Sequence, residues 1–109
     1  MNTLQSINAR TGEAHGTPLT PSTAQDIDRA ATAAHAAFDA WGRSSGEQRA
    51  ALLRALADGL EAERETLVPL ADLETALGPV RLNGELDRTT FHLRRFADIA
   101  LRGEPFAVM

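Results

Sequence analysis

From Thr23 to Gly103 the apolar residues recur at helical spacing in four successive runs, which commits most of this chain to amphipathic helices. In the first run Ile27, Ala30, Ala31, Ala34, Phe38 and Trp41 share one face. Thr23 supplies a side-chain cap, Asp26 a carboxylate near the helix start and Gly42 a stop, so a helix is predicted over 24–41. Ser45 and Gln48 match a capping box that opens a second helix with a stripe of Leu52, Leu53, Leu56, Ala57 and Leu60. The acidic stretch Glu61-Ala62-Glu63-Arg64-Glu65 reads as a break and as the first turn of a third helix. That helix carries Leu67, Leu70, Leu73 and Leu77, is expected to end at Gly78-Pro79, and must hold Pro69 in its first turn or kink there. A fourth helix from Val80 to Arg102, stopped by Gly103, places Leu82, Leu86, Thr89, Leu93, Ala97 and Ala100 on one face with Phe96 beside them. The tail Glu104-Pro105-Phe106-Ala107-Val108-Met109 adds no closing element.

Ahead of the helices, Leu4 and Ile7 precede Asn8-Ala9-Arg10-Thr11-Gly12-Glu13, where Asn and Gly suit a tight turn. A hairpin over 4–18 is predicted, with strands near 4–7 and 13–17. Two strands alone are marginally stable, so they are expected to join a sheet supplied from elsewhere. The expectation is one domain over 1–109, mainly α with an N-terminal β-hairpin and a helical segment over 23–103.

The composition removes several kinds of chemistry. There is no cysteine, hence no disulfide, thiolate metal site or cysteine nucleophile in these residues. All 11 basic residues are arginine, which excludes lysine Schiff-base and Walker-type chemistry. A net charge of -4 argues against non-specific binding to nucleic acid or to an anionic membrane. No apolar run has the length of a membrane span, and Met1-Asn2-Thr3-Leu4-Gln5 lacks a secretory signal's basic and apolar regions, so a cytoplasmic location is expected.

In this order the motifs resemble aldehyde dehydrogenases. Asn8-Ala9-Arg10-Thr11-Gly12-Glu13 is similar to the Asn-Pro-x-Thr-Gly-Glu turn near the start of that family. Ala34-His35-Ala36-Ala37-Phe38-Asp39-Ala40-Trp41 resembles its Ala-rich Ala-Phe-x-x-Trp helix, and the likeness continues through Glu47 to Leu53 and into Leu73-Glu74-Thr75. Gly84-Glu85-Leu86-Asp87-Arg88-Thr89-Thr90 and Leu93-Arg94-Arg95-Phe96-Ala97 look most like the ketoglutarate semialdehyde dehydrogenase branch. Each piece has low specificity, but the collinear set covers nearly the whole chain. Two departures stand out: Ala9 where the family usually has Pro, and Ala76-Leu77 where a Gly-Lys pair is common.

The resemblance implies that these helices and hairpin form the N-terminal part of an α/β, Rossmann-like cofactor domain. It implies NAD or NADP as cofactor and oxidation of an aldehyde to a carboxylate through a cysteine thiohemiacetal, hydride transfer and hydrolysis of the thioester. It also implies the remainder of the fold as partner and a homo-oligomer. The cysteine and the Gly-rich cofactor turn lie downstream in such enzymes, so these residues alone are expected to be inactive, with no catalytic, cofactor-binding or metal residue among them. What the resemblance does assign is a place beside the aldehyde entrance, with Gly84, Arg88 and Phe91 turned towards it at i, i+4 and i+7. There Arg88 is suited to grip a distal substrate carboxylate through its planar fork.

Plainer readings stand beside these. Arg81, Arg88, Arg95 and Arg102, seven residues apart, form a solvated row partly neutralised by Glu85 and Asp98, with Arg88 the exception. His15, His35 and His92 lack ligand spacing, Phe38 and Trp41 are expected in a core, and Glu61, Glu63 and Glu65 serve helix-start electrostatics. Two further identities stay open: an autonomous helical module binding a protein partner, and an independent four-helix bundle. Both predict a cooperative fold, whereas an enzyme segment predicts apolar faces that await cover.

Overall fold

The structure, a computed structural model, describes residues 2–103. It runs β1 (Leu4–Ile7), β2 (Ala14–Leu19), α1 (Ala24–Trp41), α2 (Gly46–Ala62), α3 (Arg64–Thr75) and α4 (Pro79–Arg102). The expectation of a tail without a closing element falls on residues outside those described. Chain contacts divide it into two compact units, the first ending at Ser44 and the second beginning at Ser45.

In the first unit β1 and β2 pair antiparallel, with Ser6 opposite His15 and Ile7 opposite Ala14, and an irregularity between Leu4 and Ser6. The turn is closed by Asn8: its amide donates to the Glu13 carbonyl (2.8 Å), and its own carbonyl accepts from Gly12 (2.8 Å). Its side-chain oxygen accepts from the Arg10 amide at 2.9 Å, and Gly12 adopts the left-handed φ of +75° that the reversal needs. Asn8 and Gly12 fix the turn, so Ala9 needs no proline ring to set it. The second strand extends beyond its expected end, to Leu19, through Pro18. Both members of a two-stranded ribbon are edges, where a missing N–H is tolerated.

Helix α1 has the predicted bounds, and a reciprocal cap fixes its start. The Asp26 amide donates to the Thr23 hydroxyl (3.1 Å), and the Thr23 amide donates to the Asp26 carboxylate (2.8 Å). None of its residues is buried. Phe38 is 70% and Trp41 46% exposed, so the core role expected of both is not realised among the described residues.

The second unit is built on α2 and α4, which run antiparallel. Gly46 lies against the Ala100 carbonyl, Arg54 bonds Asp98, Arg94 bonds Asp58, and Thr90 bonds Glu61, a descending order that fixes the direction. The buried residues along the seam are small: Ala50 and Ala57 on α2, Ala97 and Thr90 on α4. Leu52 and Leu56 of the predicted stripe stay exposed instead, because α4 approaches the face carrying the alanines. On α4 the buried threonine is Thr90, where Thr89 was expected, about 100° around the helix.

The third helix differs most from expectation. Glu61 belongs to the last turn of α2, so it takes no part in helix-start electrostatics; Glu63 is the junction and only Glu65 lies in the first turn of α3. The buried residue is Val68, with Leu67 and Leu70 exposed, and Pro69 is the sixth residue, beyond the first turn. The helix stops at Thr75, three residues before Gly78. Ala76 turns left-handed (φ 57°), and the Asp72 carboxylate accepts the Gly78 amide at 2.8 Å, so the chain is already reversing. Pro79 then occupies the first position of α4, where its missing N–H costs nothing, and Gly103 ends it left-handed.

Candidate functional site

One face of α4 and Leu53 of α2 enclose an open groove of about 440 Å³. Leu53, Leu93 and Phe96 give it an apolar floor, while Glu85, Arg88 and His92 bring polar groups to it. These α4 positions recur at i, i+3, i+7, i+8 and i+11, so a regular helix is sufficient to align them. Arg88, predicted at the entrance, lines the groove. Gly84 and Phe91 are exposed on the neighbouring strip of the helix, and the Phe91 ring meets the His92 ring edge-on at 5.6 Å.

The charges near the groove are loosely held. Glu85 stands between Arg81 (3.8 Å) and Arg88 (4.0 Å), beyond hydrogen-bonding distance of both. Arg88 is 72% exposed, which leaves its guanidinium available to a ligand. Asp98 does not neutralise the arginine row along α4 as expected; it pairs across to Arg54 of α2 at 2.9 Å. Among the described residues no cluster of three or more His, Cys, Asp or Glu is placed to hold a metal ion.

A second polar constellation went unread in the sequence. Arg64, at the first position of α3, donates to both oxygens of Glu61 on α2 (2.8 and 2.9 Å). It also reaches Asp87 (2.5 Å) and the Asn83 side chain (2.9 Å) on α4, and Thr90 donates to Glu61 at 3.0 Å. Hydrogen bonds from Arg64, then from Thr90, hold the Glu61 carboxyl below the usual carboxylate range, and Glu61 and Asp87 in turn raise the Arg64 guanidinium. Arg64 donates to Glu61, Asp87 and Asn83, so the network reads as a clamp joining three helices. The available signal was an arginine at a helix junction flanked by Glu61 three residues before it.

The same fold and motif order recur in known proteins. The aldehyde dehydrogenase family model matches residues 1–107. The chain belongs to the aldehyde dehydrogenase family. It is 37% identical to alpha-ketoglutaric semialdehyde dehydrogenase of Acinetobacter baylyi over 102 residues, covering 94% of this chain and 19% of that protein. It is 38% identical to alpha-ketoglutaric semialdehyde dehydrogenase 2 of Azospirillum brasilense over 102 residues, covering 93% of this chain and 19% of the relative. Among solved structures, a point mutant of betaine aldehyde dehydrogenase from Staphylococcus aureus, in complex with NAD+, superposes with a TM-score of 0.83 at 29% identity, covering 92% of this chain and 20% of that one. The chain thus spans about a fifth of the length of the relatives it matches, and its hairpin and four helices match the N-terminal domain fold of the family.

The described residues do not themselves fit a dinucleotide. A phosphate cradle needs a helix N-terminus with free amides behind a parallel strand. Among the described residues the only sheet is the antiparallel hairpin; capping boxes fill the starts of α1 and α2, and α3 and α4, which lack a side-chain cap, each follow a helix rather than a strand. No helix among the described residues is long and apolar enough to cross a membrane.

Proposed function

We propose that this chain serves, within a complete NAD(P)-dependent aldehyde dehydrogenase, as the helical layer beside the aldehyde entrance. The substrate class is an acidic aldehyde of the ketoglutarate semialdehyde type, oxidised to the corresponding carboxylate. The observation that carries this reading is Arg88, an exposed guanidinium at a groove whose floor is Leu53, Leu93 and Phe96. An apolar floor suits the carbon chain of such a substrate, and a planar fork of donors suits its distal carboxylate. Gly84 and Phe91 flank Arg88 on the same side of the helix and border the path. The alpha-ketoglutaric semialdehyde dehydrogenases among the relatives support the substrate class. The cofactor and the catalytic thiolate come from the remainder of the fold in this reading, and the assembly is a cytoplasmic homo-oligomer.

Between this reading and that of an autonomous module, burial favours the first. Ala50, Ala57, Val68 and Ala97 are the buried apolar residues among those described, while Phe38, Leu52 and Phe96 are exposed. Such faces suit a segment covered by more of its own fold. In the complete enzyme, Arg88→Ala is expected to raise KM for a dicarboxylic semialdehyde by roughly ten- to a hundredfold, the worth of a charge-assisted contact. KM for a neutral aldehyde of similar length should stay unchanged. Equal effects on both substrates would remove Arg88 from the site.

A further inference from the structure

The carboxylate closest in sequence to Arg88 on its own face is Glu85, one turn earlier on α4. Its two oxygens face different cations, Oε1 lying 3.8 Å from Arg81 Nε and Oε2 4.0 Å from Arg88 Nη1. Glu85 itself is half exposed and lines the groove together with Arg88. A carboxylate held at these distances makes an ion pair without a hydrogen bond, so neither arginine has its donors committed to it.

We propose that Glu85 is a specificity-determining positioning residue: its carboxylate is the resident partner of the Arg88 guanidinium, and an acidic aldehyde binds by exchanging its own carboxylate for that of Glu85. This rests on the reading of Arg88 as the carboxylate site. The exchange is cheap because Arg81 keeps Glu85 paired after Arg88 has turned to the substrate. The resident pair tunes discrimination: a carboxylate must displace Glu85 and gains a hydrogen-bonded fork in place of a loose ion pair, whereas a neutral aldehyde leaves the pair as it is.

The test is a double-mutant cycle in the complete enzyme, using Glu85→Gln, Arg88→Ala and the double variant, with a dicarboxylic semialdehyde and a neutral aldehyde of equal length. Glu85→Gln is expected to lower KM for the acidic substrate about two- to fivefold, the size set by an exposed ion pair, and to change KM for the neutral substrate less. The gain should vanish when Arg88 is already alanine. Inhibition by glutarate, read at the same time, should strengthen in parallel. An unchanged KM in Glu85→Gln, while Arg88→Ala still raises KM for the acidic substrate alone, would overturn the exchange and leave the Arg88 reading intact. A gain of the same size with and without Arg88 would also overturn it, since that marks a general field. Equal effects of Arg88→Ala on both substrates would instead remove the site on which the exchange depends. Glu85→Ala, with thermal melts of all variants, separates these outcomes from a folding defect.

Discussion

Arg64 is the residue whose removal should disturb the helical unit most. Its guanidinium is bidentate to Glu61 and reaches Asp87 and Asn83, so three helices share one cation. Among single arginine-to-alanine variants, Arg64→Ala should give the largest fall in Tm, because it takes the shared guanidinium from both Glu61 and Asp87. The same network predicts a pH dependence. The Glu61 carboxyl is depressed in the folded state, so its contribution is fully present above its unfolded value and is lost as pH falls through the folded one. Tm should therefore decline from about pH 5 towards pH 3, and the decline should be shallower in Arg64→Ala, where the largest cause of the depression is removed. An equal slope in both proteins would assign the acid sensitivity elsewhere. A second residue-scale prediction concerns Ala76, the sole non-glycine at positive φ among the described residues. The left-handed conformation of Ala76 is one that glycine adopts without a Cβ penalty. Ala76→Gly should stabilise the protein by roughly 0.5–1 kcal/mol in chemical denaturation, relief of the Cβ clash outweighing the added freedom of the unfolded chain.

At the scale of elements, the α2–α4 seam depends on the smallness of its side chains. A Cβ added at Gly46 would lie 2.4 Å from the Ala100 carbonyl oxygen, which is backbone and cannot rotate aside. Gly46→Ala should improve helix propensity and nevertheless destabilise the unit by about 1–3 kcal/mol, because the helices must move apart. A stabilised variant in a denaturant titration would show that the two ends are not in contact. This seam also shows what was legible in the sequence. Caps and stops were: Thr23, Ser45, Gly42 and Gly103 fix helix ends through local hydrogen bonds and φ, which composition at a few positions determines. Which face of each helix is covered was not. Apolar periodicity marks Leu52, Leu56, Leu67 and Leu70 as a surface that wants cover, but the neighbour within this chain packs on Ala50, Ala57 and Val68. In the groove, helical spacing shows which α4 positions share a face with Arg88, whereas the part played by Leu53 depends on the approach of α2. The Arg64 clamp joins residues up to 29 apart in sequence, and no local pattern encodes that distance.

For the whole molecule, the distribution of burial sets where stability resides. The second unit has a seam with buried Ala57 and Ala97, both at 0% exposure, and cross-helix ion pairs. The first has a two-stranded hairpin and a helix with no buried residue. A two-stranded ribbon and a solitary helix of 18 residues are each marginal in water. Hydrogen exchange on residues 1–109 alone should therefore find slow amides in α2 and α4 and near-unprotected ones in β1, β2 and α1. ANS should bind, because Phe38, Trp41, Leu52, Leu56 and Phe96 present uncovered apolar surface. When the same residues are followed within a complete aldehyde dehydrogenase, protection should rise in α1 and the hairpin more than in α2 and α4, since the elements with least cover gain most from it. Uniform slow exchange over all six elements in the isolated chain, together with a sharp melt and no ANS signal, would instead make this a self-sufficient domain and return the autonomous-module reading to the front.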